Sequence, residues 1–279
     1  MSSKLNALAA TGIALCLSLS LALATPQAAF AREPEAGGVK VGNMSFVRRL
    51  VSAESVEEMG EQQYRQLLQK ANQQGALLLD TSPVVQKVRK IAEHLLPHSV
   101  AWNPRAKAWR WEVNVFRSPT INAFCMPGGK IAFFTGIIDT LKLTDDEIAM
   151  IMGHEIAHAL REHARERVAK SNITKYGAVA VSIFLGDAAG QLAQVGGGLY
   201  GLKFGRNDET EADLVGMEIA ARAGYDPRAG ISLWEKMSRV GKGQPPQWLS
   251  THPSHTTRID TIRANLPKVM PLYEAAARH

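Results

Sequence analysis

The stretch MIMGHEIAHALREHARERV, Met150–Val168, decides how this chain is read. His154 and His158 stand four residues apart, and Glu155 follows the first of them. On an α-helix, positions i and i+4 differ by roughly 40° around the axis, so both imidazoles project from one side. Imidazole nitrogens placed that way can reach one metal ion, and zinc accepts such ligands. Glu155 falls at the edge of the same face, where it can take a proton from a water activated by the metal. The flanking sequence predicts the helix itself. Thr144-Asp145-Asp146-Glu147 is a capping box that starts it at about residue 144, and Ile148, Ile151, Met152, Ile156, Ala159 and Leu160 continue it as an apolar stripe.

Two histidines on a helix can also be ordinary surface residues, so the third ligand is the test. A Gly and then a His downstream on the same stretch would supply one arrangement, but those positions hold Arg161 and Ala164. His163, five residues past His158, falls on a different part of the helix and reads as a surface residue. RNDETEADLVG, residues 206–216, offers the alternative. Glu209 and Asp213 share one face of a second predicted helix. Glu209 completes a two-histidine, one-glutamate set with a fourth position open, as a catalytic zinc requires. Asp213 can accept the N–H of a ligand histidine and fix its tautomer. Ala212 is small and lets the two helices approach. Glu211 is the competing ligand, without a carboxylate partner four residues on. Arg206 stands ready either to stabilise an oxyanion or to pair with Glu211. A plain acidic helix start would account for the acids, but not for their company with H-E-x-x-H.

The rest of the chain frames these helices. With 279 residues, 46% of them hydrophobic and 21% charged, it can build a sizeable core and is unlike a disordered or fibrous chain. The net charge of +6 suits peripheral contact with an anionic membrane surface and gives little support for nucleic acid as a partner. Residues 52–71 and 81–96 read as helices, the second opened by Ser82-Pro83. AWRWEVNVF, 108–116, alternates Trp109, Trp111, Val113 and Val115 on one face of a strand. INAFCM and KIAFFTG flank Pro127-Gly128-Gly129 as two strands around a tight turn. Residues 176–204, rich in Gly and Ala, fall short of a membrane span and read as a flap or a buried helix. Further helices follow to Gly224 and from Asp226-Pro227, and 248–266 reads as a loop and a last helix. The expected fold is mainly α with a small β-sheet (α+β). One domain spans 50–279, behind a flexible leader over 32–49.

Residues 1–31 differ from the rest. Lys4, an apolar run and a closing Ala29-Phe30-Ala31 have the order of a secretory signal peptide, with an uncleaved anchor as the alternative. Cys16 lies within that run and lacks the small preceding residue of a lipidation site. Cleavage after Ala31 leaves Cys125 alone, without a disulfide partner, as a small buried residue.

Taken in order, H-E-x-x-H, then Glu209-x-x-Ala212-Asp213, then AGYDP at 223–227, resemble the M48 peptidases, gluzincins related to Ste24, Oma1 and HtpX. INAFCMPGGKIAFFTG is similar to that family's strand pair, and THPSHTTRI, 251–259, to its Thr-His-Pro-Ser segment. The resemblance covers about residues 50 to 270. It implies a zincin-type metallopeptidase with one zinc per chain, held by His154, His158 and Glu209, with Glu155 as general base. It also implies Asn122, Ala123 and Phe124 as a strand edge that takes an extended substrate, although an ordinary core hairpin would read the same. His252 is either a removable fourth ligand or an oxyanion donor, unless it is a surface residue. The closest-looking group is exported and periplasmic, and is associated with quality control of unfolded or misassembled envelope proteins. The sequence shows no counterpart of the membrane helices of the Ste24 and HtpX branches, nor a tetratricopeptide-like region. A chaperone with a structural metal is the competing reading; Glu155 speaks against it, because a structural zinc needs no adjacent base.

Overall fold

The computed structural model describes residues 38–171, 199, 203–240, 246–253 and 257–278. The signal-like segment 1–31 and nearly all of 176–204 lie outside them. Among the described residues no helix is long and apolar enough to cross a membrane.

Helices α1 (Ala53–Gln73) and α2 (Pro83–Leu95) precede the sheet, and both begin where capping chemistry predicts. Ser52 accepts the N–H of Ser55 at the start of α1, and Pro83 opens α2. Strands β1 (Glu112–Phe116), β2 (Ala123–Met126) and β3 (Lys130–Phe134) form one sheet in the order β1-β3-β2. β3 runs parallel to β1 and antiparallel to β2. The turn between β2 and β3 needs two left-handed residues, and Gly128 and Gly129, both at φ 82°, supply them. β1 begins later than the alternation predicts, at Glu112. The indole N–H of Trp111 donates to the Ala106 carbonyl, and that of Trp109 to Glu57 on α1, so both side chains are held outside the strand.

Both faces of the sheet are covered, in alternate register. Val113, Val115, Ala123, Ile131 and Phe133 enter the main core with α2 and α4. Phe116, Phe124, Met126 and Ala132 face Tyr64 and Ala71 of α1, and the Tyr64 hydroxyl donates to the Ile131 carbonyl at 2.7 Å.

After α3 (Thr135–Leu141) the capping box forms as expected: Thr144 Oγ1 accepts the Glu147 N–H, and the Glu147 carboxylate accepts the Thr144 N–H. Helix α4 (Asp145–Leu160) is buried along nearly its whole length, between the sheet and α6 (Arg206–Arg222). The two helices touch backbone to backbone. A Cβ on Gly153 would lie 2.6 Å from the Gly216 carbonyl oxygen, and one on Gly216 would lie 2.5 Å from the His154 nitrogen. The closest approach therefore falls at Gly216, one turn beyond Ala212. Helix α5 begins at 163 and is described to 171.

Helix α7 (Ala229–Val240) starts two residues after Pro227, because the Asp226 carboxylate caps the Arg228 N–H in a turn of its own. Residues expected as a loop form the short helix α8 (Gln247–Thr251). The last helix, α9 (Thr257–Ala276), continues past Leu266 through Pro267 and Pro271. The segment expected as a flexible leader is docked from residue 38 onward. Val39 is 2% exposed and its N–H donates to Glu218, Arg161 donates to the Gly42 carbonyl, and Arg48 pairs with Glu162.

Candidate active site

α4 delivers His154 and His158 one turn apart, and their Nε2 atoms lie 3.1 Å from each other. α6 brings Glu209, whose Oε1 is 3.6 Å from His158 Nε2. His252, at the end of α8, completes the group: its Nδ1 is 3.3 Å from His154 Nε2 and 3.1 Å from Glu209 Oε1. All four side chains are buried, and one ligand atom from each lies within 4.8 Å of the others.

Three imidazoles and a carboxylate are the donor set that zinc prefers. The hydrogen bonds around them aim that set. Asp213 accepts from His154 Nδ1 at 3.0 Å, so the lone pair of His154 Nε2 points into the cluster. His158 Nε2 faces it at 3.1 Å, and two imidazole lone pairs at that distance repel unless a cation or proton lies between them. The residues present fit the metal.

The charges are balanced by a residue that the sequence reading passed over. Arg258 donates from Nη1 to Glu209 Oε2 at 2.6 Å, and from Nε and Nη2 to Asp213 at 2.6 and 2.5 Å. Its guanidinium lies 3.8 Å over the Trp234 ring. Burial pushes the Asp213 carboxyl up, but Arg258 and His154 outweigh it and hold it below its ordinary value. Burial likewise raises Glu209, and hydrogen bonds from His154 and His252 bring it far below the usual carboxylate range. The His154 imidazole is depressed by burial and raised more strongly by Asp213 and Glu209, to about 9. His158 is held well below its ordinary value by burial and by His154, which outweigh the nearby Glu209 carboxylate.

Glu155 is 2% exposed and sits beside the cluster. Trp248 Nε1 donates to its Oε1 at 2.6 Å, and His252 Nε2 is 3.6 Å from the same oxygen. The Trp248 ring also stacks on His252 at 5.1 Å, and its backbone N–H donates to the Ile121 carbonyl just before β2. One residue thus positions Glu155, His252 and the strand. The cleft outside Glu155 is lined by Ala123, Phe124, Cys125, His158, Phe204 and His252.

β2 is an edge strand, paired with β3 alone among the described residues. Asn122, Ala123 and Phe124 are each less than 10% exposed, with Ala123 in the main core and Phe124 against Phe134. What they offer to the cleft is main chain. Cys125 is a half-buried free thiol, pushed well up first by burial and then by the Glu155 carboxylate.

The other expected positions fall elsewhere. Arg206 is exposed at the start of α6 and makes no ion pair among the described residues; the cation at the cluster is Arg258. Glu211 turns away from the ligands to Arg161, at 2.5 Å, and to His163. His163 is buried, not a surface residue. α4 ends at Leu160, and Glu162 takes a left-handed φ of 56°, which turns the chain back so that His163 Nδ1 comes 2.9 Å from His158 Nδ1. A positive φ at a glutamate leaves no trace in helical periodicity. Arg258 and Trp248 had a signal, their nearness to His252 in the chain, but burial of a guanidinium cannot be read from sequence.

Compared with known families, residues 84–266 match Peptidase family M48, a span of more than half the chain that includes every cluster residue. The chain belongs to that family. This M48 chain is 38% identical over 167 residues to "Mitochondrial metalloendopeptidase OMA1" of Schizosaccharomyces pombe, an overlap of 57% of this chain and 48% of that protein. It is 26% identical over 153 residues to "Metalloprotease LoiP" of Escherichia coli, covering 53% of this chain and 60% of that one. Against the "Putative beta-barrel assembly-enhancing protease" of Vibrio cholerae the identity is 30% over 170 residues, covering 57% and 35%. The M48 chain spans half or less of the length of the OMA1 proteins it matches in fission yeast, budding yeast and Arabidopsis.

Proposed function

We propose that this protein is a zinc-dependent metalloendopeptidase that cleaves unfolded or misassembled proteins of the cell envelope. The observation that carries the reading is Glu155, a buried carboxylate fixed by the Trp248 indole at the rim of a cluster of three imidazoles and Glu209. His154, His158 and Glu209 would hold the zinc, which supplies Lewis-acid polarisation of water and of the scissile carbonyl.

The chain's own groups do the rest. Trp248 occupies Glu155 Oε1 and leaves Oε2 to take the proton of the attacking water and return it to the leaving amine. The outer edge of β2 pairs with the main chain of an extended substrate at 122–124, which explains why a small Ala and two buried side chains stand there. Asp213 and Arg258 hold His154 and Glu209 in register throughout. His252 is the latch in this reading. Its Nδ1 shares the cluster with the three ligands, so it must swing out before a substrate can enter.

The restriction to envelope substrates and an exported location rest on the signal-like pattern of residues 1–31 and on the name of the Vibrio relative, and peripheral contact with the membrane rests on the net charge of +6. The mitochondrial relatives point to a different compartment for those proteins. Mass determination of the native N-terminus separates the possibilities: a chain beginning at Arg32 supports export.

The test of the activity pairs zinc content with cleavage of casein, for wild type and Glu155→Gln. Both should hold one zinc, and only the wild type should cut. If the wild type holds zinc and does not cut, while His252→Ala does, the latch is supported along with the peptidase. If neither cuts, a chaperone with a structural metal replaces this reading.

A further inference from the structure

Buried His163 and Arg161 and the partly exposed Glu211 form a polar cluster that the steps above leave unused. Glu211 accepts from Arg161 at 2.5 Å and lies 2.9 Å from His163 Nε2, while His163 Nδ1 lies 2.9 Å from His158 Nδ1. Arg161 and His163 are 3% and 2% exposed.

A proton count gives this chain of contacts a direction. Arg161 only donates, and it supplies the countercharge that keeps Glu211 a carboxylate. A carboxylate only accepts, so His163 Nε2 must carry a hydrogen. A neutral His163 then has a bare Nδ1, and the contact with His158 needs its hydrogen on His158 Nδ1. That leaves the lone pair of His158 on Nε2, the atom that faces His154 and Glu209. His154 receives the same instruction directly from Asp213.

We infer that Glu211, acting through His163, is a positioning residue that sets the tautomer of His158 and so makes it a zinc ligand. α6 then contributes three carboxylates at alternate positions: Glu209 to the metal, and Glu211 and Asp213 to the far sides of the two histidines. The inference rests on the peptidase reading only in taking His158 as a ligand. The left-handed turn at Glu162 is what brings His163 back to His158, so the break between α4 and α5 serves the metal site.

The sharpest variant is Glu211→Gln, which keeps size and shape. Arg161 still demands the amide oxygen, so the amide NH₂ faces His163 Nε2 and reverses every proton in the chain, placing a hydrogen on His158 Nε2. Zinc affinity, measured by competition with a chelator, is expected to fall about 10- to 100-fold. The melting temperature of the metal-free protein should stay near that of wild type. In a His163→Asn background, whose side-chain oxygen can accept from His158, Glu211→Gln should cost little further affinity. The wild type gives an independent reading by long-range ¹H–¹⁵N NMR of the zinc-loaded protein. His158 should carry its proton on Nδ1, and His163 on Nε2. Equal affinity for wild type and Glu211→Gln, or a His163 proton on Nδ1, overturns the inference. Failure of both zinc-loaded wild type and His252→Ala to cut casein would sink the peptidase reading, and the affinity ratio would still decide this one.

Discussion

Trp248 connects three parts of the site. Its indole N–H fixes Glu155, its ring stacks on His252, and its backbone N–H reaches Ile121 just before β2. Trp248→Phe keeps the stacking and the backbone bond and deletes only the donor to Glu155. A hydrogen bond to a charged group is worth about 1.5–3 kcal/mol. The variant should therefore lose about 10- to 100-fold in kcat, with KM and zinc content little changed, as steady-state kinetics with a fluorogenic peptide would read. Arg258 differs in kind. Its guanidinium is 2% exposed and faces two carboxylates, so Arg258→Met leaves Glu209 and Asp213 without their countercharge. Breaking a buried pair in this way costs about 3–5 kcal/mol, and urea unfolding should show a loss of that order.

At the scale of elements, the site exists because α4 and α6 touch. Gly153 and Gly216 allow a backbone contact that puts Glu209 opposite His154 and His158. Gly153→Ala would drive a methyl group into the Gly216 carbonyl, and overpacking of this kind costs about 1–3 kcal/mol. The helices cannot part without spreading the ligands, so weakened zinc binding should accompany the lower melting temperature. Thr144→Ala is the contrasting variant. It opens the capping box at the far end of α4 and should cost about 1 kcal/mol with zinc affinity unchanged. Most of these elements were legible in the sequence: the capping box, the Pro-Gly-Gly turn and Gly224 are local signals. Helix α8 was not. It is held by Trp248 packed among Trp234, His154 and His252, contacts that no local pattern announces.

For the whole molecule, acid and chelation are the informative stresses. Glu147 joins α4 to α7: burial pushes its carboxyl up, but Lys236, the Thr144 N–H and Ser232 hold it below its ordinary value of 4.5. Asp226 is held low by the hydrogen bonds of Arg228. Groups depressed in the folded state contribute their full stability above the unfolded value and lose it as pH falls through the folded one. The melting temperature should drop as pH falls below about 5, with a shallower drop in Glu147→Gln. A level curve down to about pH 3 would refute the assignment. Stripping the metal should act at neutral pH. Zinc at about a thousand times its dissociation constant adds roughly 4 kcal/mol, so a strong chelator should lower the melting temperature by about 10 °C.

The sequence by itself determined the helix that carries His154, Glu155 and His158, and the β2–β3 turn. These depend on spacing along one helix, on capping and on glycine, all of which act within a few residues. Tertiary structure decided what faces those residues from a distance. Arg258 is 104 residues from His154, and Trp248 is 93 from Glu155. It also decided between Glu211 and Glu209, because the left-handed turn at Glu162 gave Glu211 another partner in His163. A buried charge is stable only beside its counterpart, and which counterpart arrives depends on how whole helices pack.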